Sequence, residues 1–129
     1  MRKAPFVILA IAALQGCAGD MLAAAAAHAD GGPLLATASQ FLMLHAAAAI
    51  GLAALGRSLA NPGRLLFPIC GALQVGVTLF AADLASRALG PGKLFPYAAP
   101  IGGSITILAW AALALWAAAQ ALRRAEDEG

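Results

Sequence analysis

Four stretches of about 20 apolar residues constrain this chain more than any other feature of its sequence. A helix needs about 20 consecutive apolar residues to cross the hydrocarbon core of a bilayer. Turn-forming sequences rich in glycine and proline separate the stretches, which lie at residues 5–27, 33–55, 66–89 and 100–122. The pattern predicts an all-α, polytopic membrane protein. Its single domain, residues 1–129, would be a bundle of four transmembrane helices with a short acidic C-terminal tail at 123–129.

The composition excludes a soluble globular domain. Apolar residues make up 62% of the chain and charged residues only 11%, against about 45–50% and 25% in soluble domains. The net charge is only +2, and the basic residues are scattered instead of forming one patch, so we expect no nucleic-acid partner. The expected surroundings are the lipid bilayer.

The distribution of lysine and arginine predicts the orientation, because cytoplasmic loops of membrane proteins are enriched in these residues. With four spans, both termini lie on one side of the membrane. That side holds Arg2, Lys3, Arg57, Arg64, Arg123 and Arg124, and the other holds Arg87 and Lys93. We therefore expect a multi-pass protein of the bacterial inner (plasma) membrane with both termini in the cytoplasm.

A small set of polar residues lies in the outer half of the predicted spans, where an ionisable side chain costs about 2.5–3.5 kcal/mol on insertion scales. The set comprises Asp20, His28, Gln40, His45, Asp83 and Arg87. One hypothesis is a polar seam that carries a proton or small solute. The other is that these residues join helices, with Asp83 paired to Arg87. We favour the second, because only Gln74 and Thr78 of the third span continue the seam into the inner half.

The start of the fourth span predicts a site of close helix packing. Pro100 is followed by Gly102 and Gly103, and Trp110 lies two turns further on. A glycine-rich helix start can bind an anion through free backbone N–H groups. Glycines in membrane helices more often mark a close crossing, and we prefer that interpretation here.

The N-terminus also resembles a bacterial lipoprotein signal, in which Cys17 would carry the lipid. Gln15 is unusual in such a signal, and the apolar sequence continues beyond it to Ala27. No motif for a catalytic site or a metal is present, and the two cysteines, Cys17 and Cys70, are far apart. We therefore expect neither an enzyme nor a bound cofactor or metal.

The sequence Ala99-Pro100-Ile101-Gly102-Gly103, followed by Ala109-Trp110, resembles a Thr-Pro-Ile/Val-Gly-Gly … Gly-Trp signature. That signature belongs to small four-span inner-membrane proteins called the Domain of Unknown Function 423 family, which includes YgdD and transmembrane protein 256. His28 and His45 match family histidines, whereas Asp20 and Asp83 replace an apolar residue and a serine. The resemblance implies four spans and a first helix that continues past Cys17, and it implies no reaction.

The function expected from the sequence is a structural or accessory role. The protein would pack against a partner membrane protein or form a homo-oligomer. A small-solute or proton permease, and a lipoprotein modified at Cys17, are the two alternatives.

Overall fold

The computed structural model describes residues 3–28, 30 and 32–129. Within them the chain forms four helices and no strand: α1 (Ala4–His28), α2 (Gly32–Ser58), α3 (Leu66–Leu89) and α4 (Ala98–Glu128). All four are long and apolar enough to cross a membrane. The prediction of an all-α, four-span membrane protein is confirmed.

The helices are slightly longer than the predicted spans, except α3, which has the predicted bounds. The largest difference is at the C-terminus, where α4 continues to Glu128 through the acidic tail. No glycine or proline interrupts the chain after Gly103 until Gly129, so nothing in the tail ends the helix. Its side chains from Ala121 onwards are all exposed.

The helices pack in chain order. α1 lies against α2, α2 against α3 and α3 against α4, and α1 also contacts α3. Two groups of buried apolar side chains fill contacts among α1, α2 and α3. One joins α1, α2 and α3 through Ile8, Ala12, Ala46, Ala49, Ala53 and Cys70. The other joins α2 to α3 through Ala38, Leu42, Val77, Ala81 and Leu84. Most of these residues are small, which allows the helix backbones to approach closely.

The connections define two faces of the bundle. The loop between α2 and α3 lies at the same end as the start of α1 and the end of α4. There the indole N–H of Trp116 and the amide of Gln120 both donate to the carbonyl oxygen of Pro62, at 3.0 and 3.1 Å. The connection between α3 and α4 lies at the opposite end and enters α4 through Tyr97, whose φ of 66° is left-handed. We call the first end the terminal face.

Candidate functional site

Asp83 is an acid without exposed surface inside the bundle. It lies on α3, and Arg87 lies one turn further along the same helix. The Arg87 guanidinium donates to Oδ2 through Nε at 2.9 Å and through Nη2 at 2.8 Å. The backbone N–H of Leu94 donates to Oδ1 at 2.9 Å. Both carboxylate oxygens therefore accept hydrogen bonds, and the side chain fastens the α3–α4 connection to α3.

His45 is also buried, with 5% of its surface exposed, and it joins α2 to α4. Its Nδ1 lies 2.7 Å from the carbonyl oxygen of Phe41, one turn earlier on α2. Its Nε2 lies 3.2 Å from the indole Nε1 of Trp110 on α4. The indole N–H is only a donor, so Nε2 must be the acceptor. These two contacts assign a neutral imidazole that carries its proton on Nδ1.

A third polar cluster joins α1 to α3. The sequence pointed to Gln74 and Thr78 as polar residues of the inner half, but not to their contact with Gln15. The buried Gln15 amide donates to the carbonyl oxygen of Gln74 at 3.1 Å and to Thr78 Oγ1 at 2.9 Å. The buried Gln74 amide donates to the carbonyl oxygen of Ile8 at 2.9 Å. The sequence does contain a signal for this cluster, because Gln15 is a polar residue inside an apolar span. Above, Gln15 was weighed only against the lipoprotein pattern.

The same cluster contains two unsatisfied acceptors. The side-chain oxygens Oε1 of Gln15 and of Gln74 are buried without a hydrogen-bond partner among the described residues. The cluster borders an apolar groove of about 460 Å³ between α1 and α3, lined among others by Leu14, Met21 and Ala82. Its lining side chains are apolar except for Gln15 and Thr78.

The remaining residues of the predicted seam lie on the outside of the bundle. Asp20, His28 and Gln40 are all exposed. Within residues 3–28, 30 and 32–129, no hydrogen bond or ion pair connects any of them to His45 or Asp83. The structure therefore brings Asp83 and Arg87 together, places His45 with Trp110, and leaves the other three apart.

The predicted packing corner contains a close crossing of α3 and α4, centred on Gly102. A methyl group added at Gly102 would lie 2.6 Å from the backbone N of Phe80 and 2.8 Å from the carbonyl oxygen of Gly76. One added at Gly103 would lie 3.7 Å from the Phe80 ring, an ordinary contact. Pro100 is exposed, and Trp110 is 41% exposed. Trp110 acts through its hydrogen bond to His45.

Two further sequence predictions concern cysteine and metal. Cys17 is exposed in the middle of α1, and the helix continues without a break on both sides of it. In the described part of the chain, no group of three or more histidine, cysteine or acidic side chains is arranged to hold a metal ion.

The comparisons with known proteins give one match. The sequence model of the family described as "Protein of unknown function (DUF423)" matches residues 22–103. No curated protein and no solved structure matches the chain. The matched region covers more than half of the chain and includes His45, Asp83 and the Gly102 crossing. The chain belongs to the DUF423 family.

Proposed function

We propose that this small membrane protein has an accessory role and that its helices present packing surface to another membrane protein or to a second copy of itself. The supporting observation is that the buried ionisable side chains are bound to partners inside the chain. Both oxygens of Asp83 and both ring nitrogens of His45 have partners within the chain. These side chains fix the positions of α2, α3 and α4 relative to one another, which is a structural task.

The second candidate is a proton or small-solute permease. The observation in its favour is the cluster of Gln15, Gln74 and Thr78, because it adds polar atoms to the inner half of the bundle. In this proposal the path would combine the cluster with Asp20, His45 and Asp83. The partners already bound to His45 and Asp83 would have to be released during transport, so we rank the permease second.

We do not propose the lipoprotein alternative, in which the chain is cleaved before Cys17 and lipidated there. Such a cleavage would remove Gln15, and with it the two hydrogen bonds that its amide makes to α3. It would also remove the buried residues Ile8 and Ala12 from the contact with α2 and α3. Labelling with an acyl-chain analogue tests the alternative directly, and label on Cys17 would contradict us.

Native mass spectrometry of the tagged protein, gently solubilised from its own membranes, tests the accessory role. We expect a stoichiometric second polypeptide or a homo-oligomer. A monomer with no protein partner would contradict the proposal. In liposomes we expect no proton or solute flux above that of empty vesicles. A flux that is abolished by His45→Ala and by Asp83→Asn would establish the permease instead.

A further inference from the structure

Asp20 presents an acid on the outer surface of a membrane span. It lies on α1, about eight residues before the helix ends at His28, which corresponds to about 12 Å along the helix axis. Its side chain is exposed, so in a lone bundle it contacts lipid. The short aspartate side chain cannot reach the interface from that depth, and ionisable residues in spans almost always face protein or water. This surface therefore requires a cover.

Gln40 lies at the same depth on the neighbouring helix. The residues next to the pair are in direct contact, because the hydroxyl of Ser39 on α2 donates to the carbonyl oxygen of Gly19 on α1 at 2.7 Å. Gln40 is also exposed. The outer surface formed by α1 and α2 thus carries an acceptor carboxylate and a donor carboxamide at one level of the membrane.

Small residues surround both polar side chains. On α1, residues at spacings of three and four from Asp20 form an exposed row, and on α2 a second row passes through Gln40 and is exposed or half-buried. Five of the six neighbours in these rows are small: Ala13, Cys17 and Ala24 on α1, and Ala36 and Ala47 on α2. The sixth, Met43 on α2, is larger and half-buried. Rows of small residues allow another helix to approach the backbone closely. We call this surface, with Asp20 and Gln40 at its centre, the α1–α2 face.

The α1–α2 face continues towards the terminal face as a shallow groove. Leu9 lies three turns before Asp20 on the same side of α1, and it lines a groove of about 190 Å³ together with Phe6, Ile50 and Arg57. The Arg57 guanidinium lies 5.2 Å from the centre of the Phe6 ring. The face therefore extends over most of the height of the bundle, which gives a docking helix a long contact.

We propose that the α1–α2 face binds the same face of a second copy of this chain. Two copies in one membrane with the same orientation are related by a twofold axis along the membrane normal, which leaves depth unchanged. In such an interface, residue i contacts residue j of the partner, and j contacts i. Because Asp20 and Gln40 lie at one depth, each Asp20 meets the Gln40 of the other copy. This homodimer rests on the accessory role proposed above and names its partner.

The first test measures dimerisation of the full-length protein in lipid bilayers by energy transfer between labelled copies. Asp20→Ala and Gln40→Ala each remove both symmetric hydrogen bonds, so we expect the dimer dissociation constant to rise roughly fivefold to tenfold. Ser104→Ala is the matched control, because Ser104 is a polar residue exposed on α4. We expect no change for the control. An unchanged dissociation constant for both test variants overturns the proposal.

Mixing the two variants tests whether the pairing crosses between copies. A mixed dimer of Asp20→Ala with Gln40→Ala retains one intact Asp20–Gln40 pair, whereas each variant alone retains none. We therefore expect mixed dimers to form more tightly than either homodimer. If the mixture shows no recovery, Asp20 does not pair with the partner's Gln40 and the proposal is wrong.

Crosslinking provides a test that does not depend on losing stability. In a Cys17→Ser background we expect Ala24→Cys, one turn from Asp20, to give dimers with a short thiol crosslinker. Ala111→Cys, exposed on α4, is the control, and equal crosslinking at both positions overturns the proposal. If native mass spectrometry shows a complex with another polypeptide and no homodimer, the inference fails while the accessory role stands. A monomer without any partner refutes both.

Discussion

Asp83 and Asp20 have the same side chain in two opposite environments. Asp83 has no exposed surface and accepts hydrogen bonds from Arg87 and Leu94, whereas Asp20 is exposed on α1. In the sequence the two acids look alike, since both lie in the outer half of an apolar span. What separates them is the direction in which each side chain points from its helix.

Removing the Asp83 carboxylate leaves the Arg87 guanidinium and the Leu94 N–H without their acceptor. Breaking a buried ion pair costs about 3–5 kcal/mol, and Arg87 is one-third exposed, which reduces the loss. We expect Asp83→Ala to lower the free energy of unfolding by about 2–3 kcal/mol. Titration from mild detergent into a denaturing one measures it. Asp127→Ala, at an exposed acid of the tail, is the control, and an equal effect of both variants would contradict the expectation.

We expect the loss of the Gln15 amide to change the free energy of unfolding less than the loss of the Asp83 carboxylate, although both side chains are buried. Gln15→Leu removes two hydrogen bonds, and it also removes an Oε1 atom that has no partner in the described part of the chain. A hydrogen bond contributes about 0.5–1.5 kcal/mol net, and a buried unsatisfied acceptor costs about 1–3 kcal/mol, so the loss of the two bonds and the removal of Oε1 largely offset each other. We expect the free energy of unfolding to change by less than about 1 kcal/mol in the same titration. A loss as large as that of Asp83→Ala would mean that Oε1 binds a partner in the membrane.

At the scale of helices, the contact between α3 and α4 depends on one glycine of a Gly-Gly pair. A side chain at Gly102 would collide with backbone atoms of Phe80 and Gly76, which cannot rotate away. At Gly103 the nearest atoms belong to the Phe80 ring at 3.7 Å. We expect Gly102→Ala to destabilise the bundle by about 1–3 kcal/mol. Gly103→Ala should be neutral or stabilising by up to about 1 kcal/mol, because alanine favours the helix. Thermal unfolding of both variants in detergent measures the difference, and a reversed order would place the crossing elsewhere.

The sequence predicts the helices much better than the contacts between them. Length and apolar composition identify all four spans, and the sequence from Pro100 to Gly103 locates a close crossing. Adjacent residues on a helix differ in direction by about 100°, however, and an almost entirely apolar helix has no polar face to show which direction points inward. For this reason neither the preference for Gly102 over Gly103 nor the burial of Gln15 against Gln74 can be read from the sequence.

At the scale of the whole molecule, the four helices are not equivalent. α4 packs closely only against α3 and reaches α2 through the hydrogen bond from Trp110 to His45. Large apolar side chains such as Ile107 and Leu115 are exposed on it, as expected for a helix facing lipid. α1 also exposes large apolar side chains, such as Leu14 and Met21, which line the groove towards α3. Unlike the apolar part of α4, however, it carries an exposed acid, Asp20. This asymmetry is why we place the proposed interface on the side of α1 and α2.

The positions of the basic residues predict which face of the bundle lies in the cytoplasm. The start of α1, the end of α4 and the α2–α3 loop share the terminal face, where Arg57, Arg64, Arg123 and Arg124 lie. Cytoplasmic loops are the ones enriched in such residues. We expect a green fluorescent protein fused after Gly129 to be fluorescent in a bacterial host. We also expect an alkaline phosphatase inserted in the α3–α4 connection, beside Lys93, to be active, because that enzyme folds only outside the cytoplasm.

Moving basic residues from one face to the other tests whether they determine the orientation of the chain in the membrane. Replacing Arg57 and Arg64 by alanine leaves four of the six basic residues on the terminal side. Adding three lysines beside Lys93 then gives five on the other side, which reverses the bias. Since the helices and their contacts are the same in either orientation, we expect part of the population to invert and the two reporters to exchange activity in that fraction. A wild-type chain with an active phosphatase fused at its C-terminus would show that the terminal face lies outside the cytoplasm.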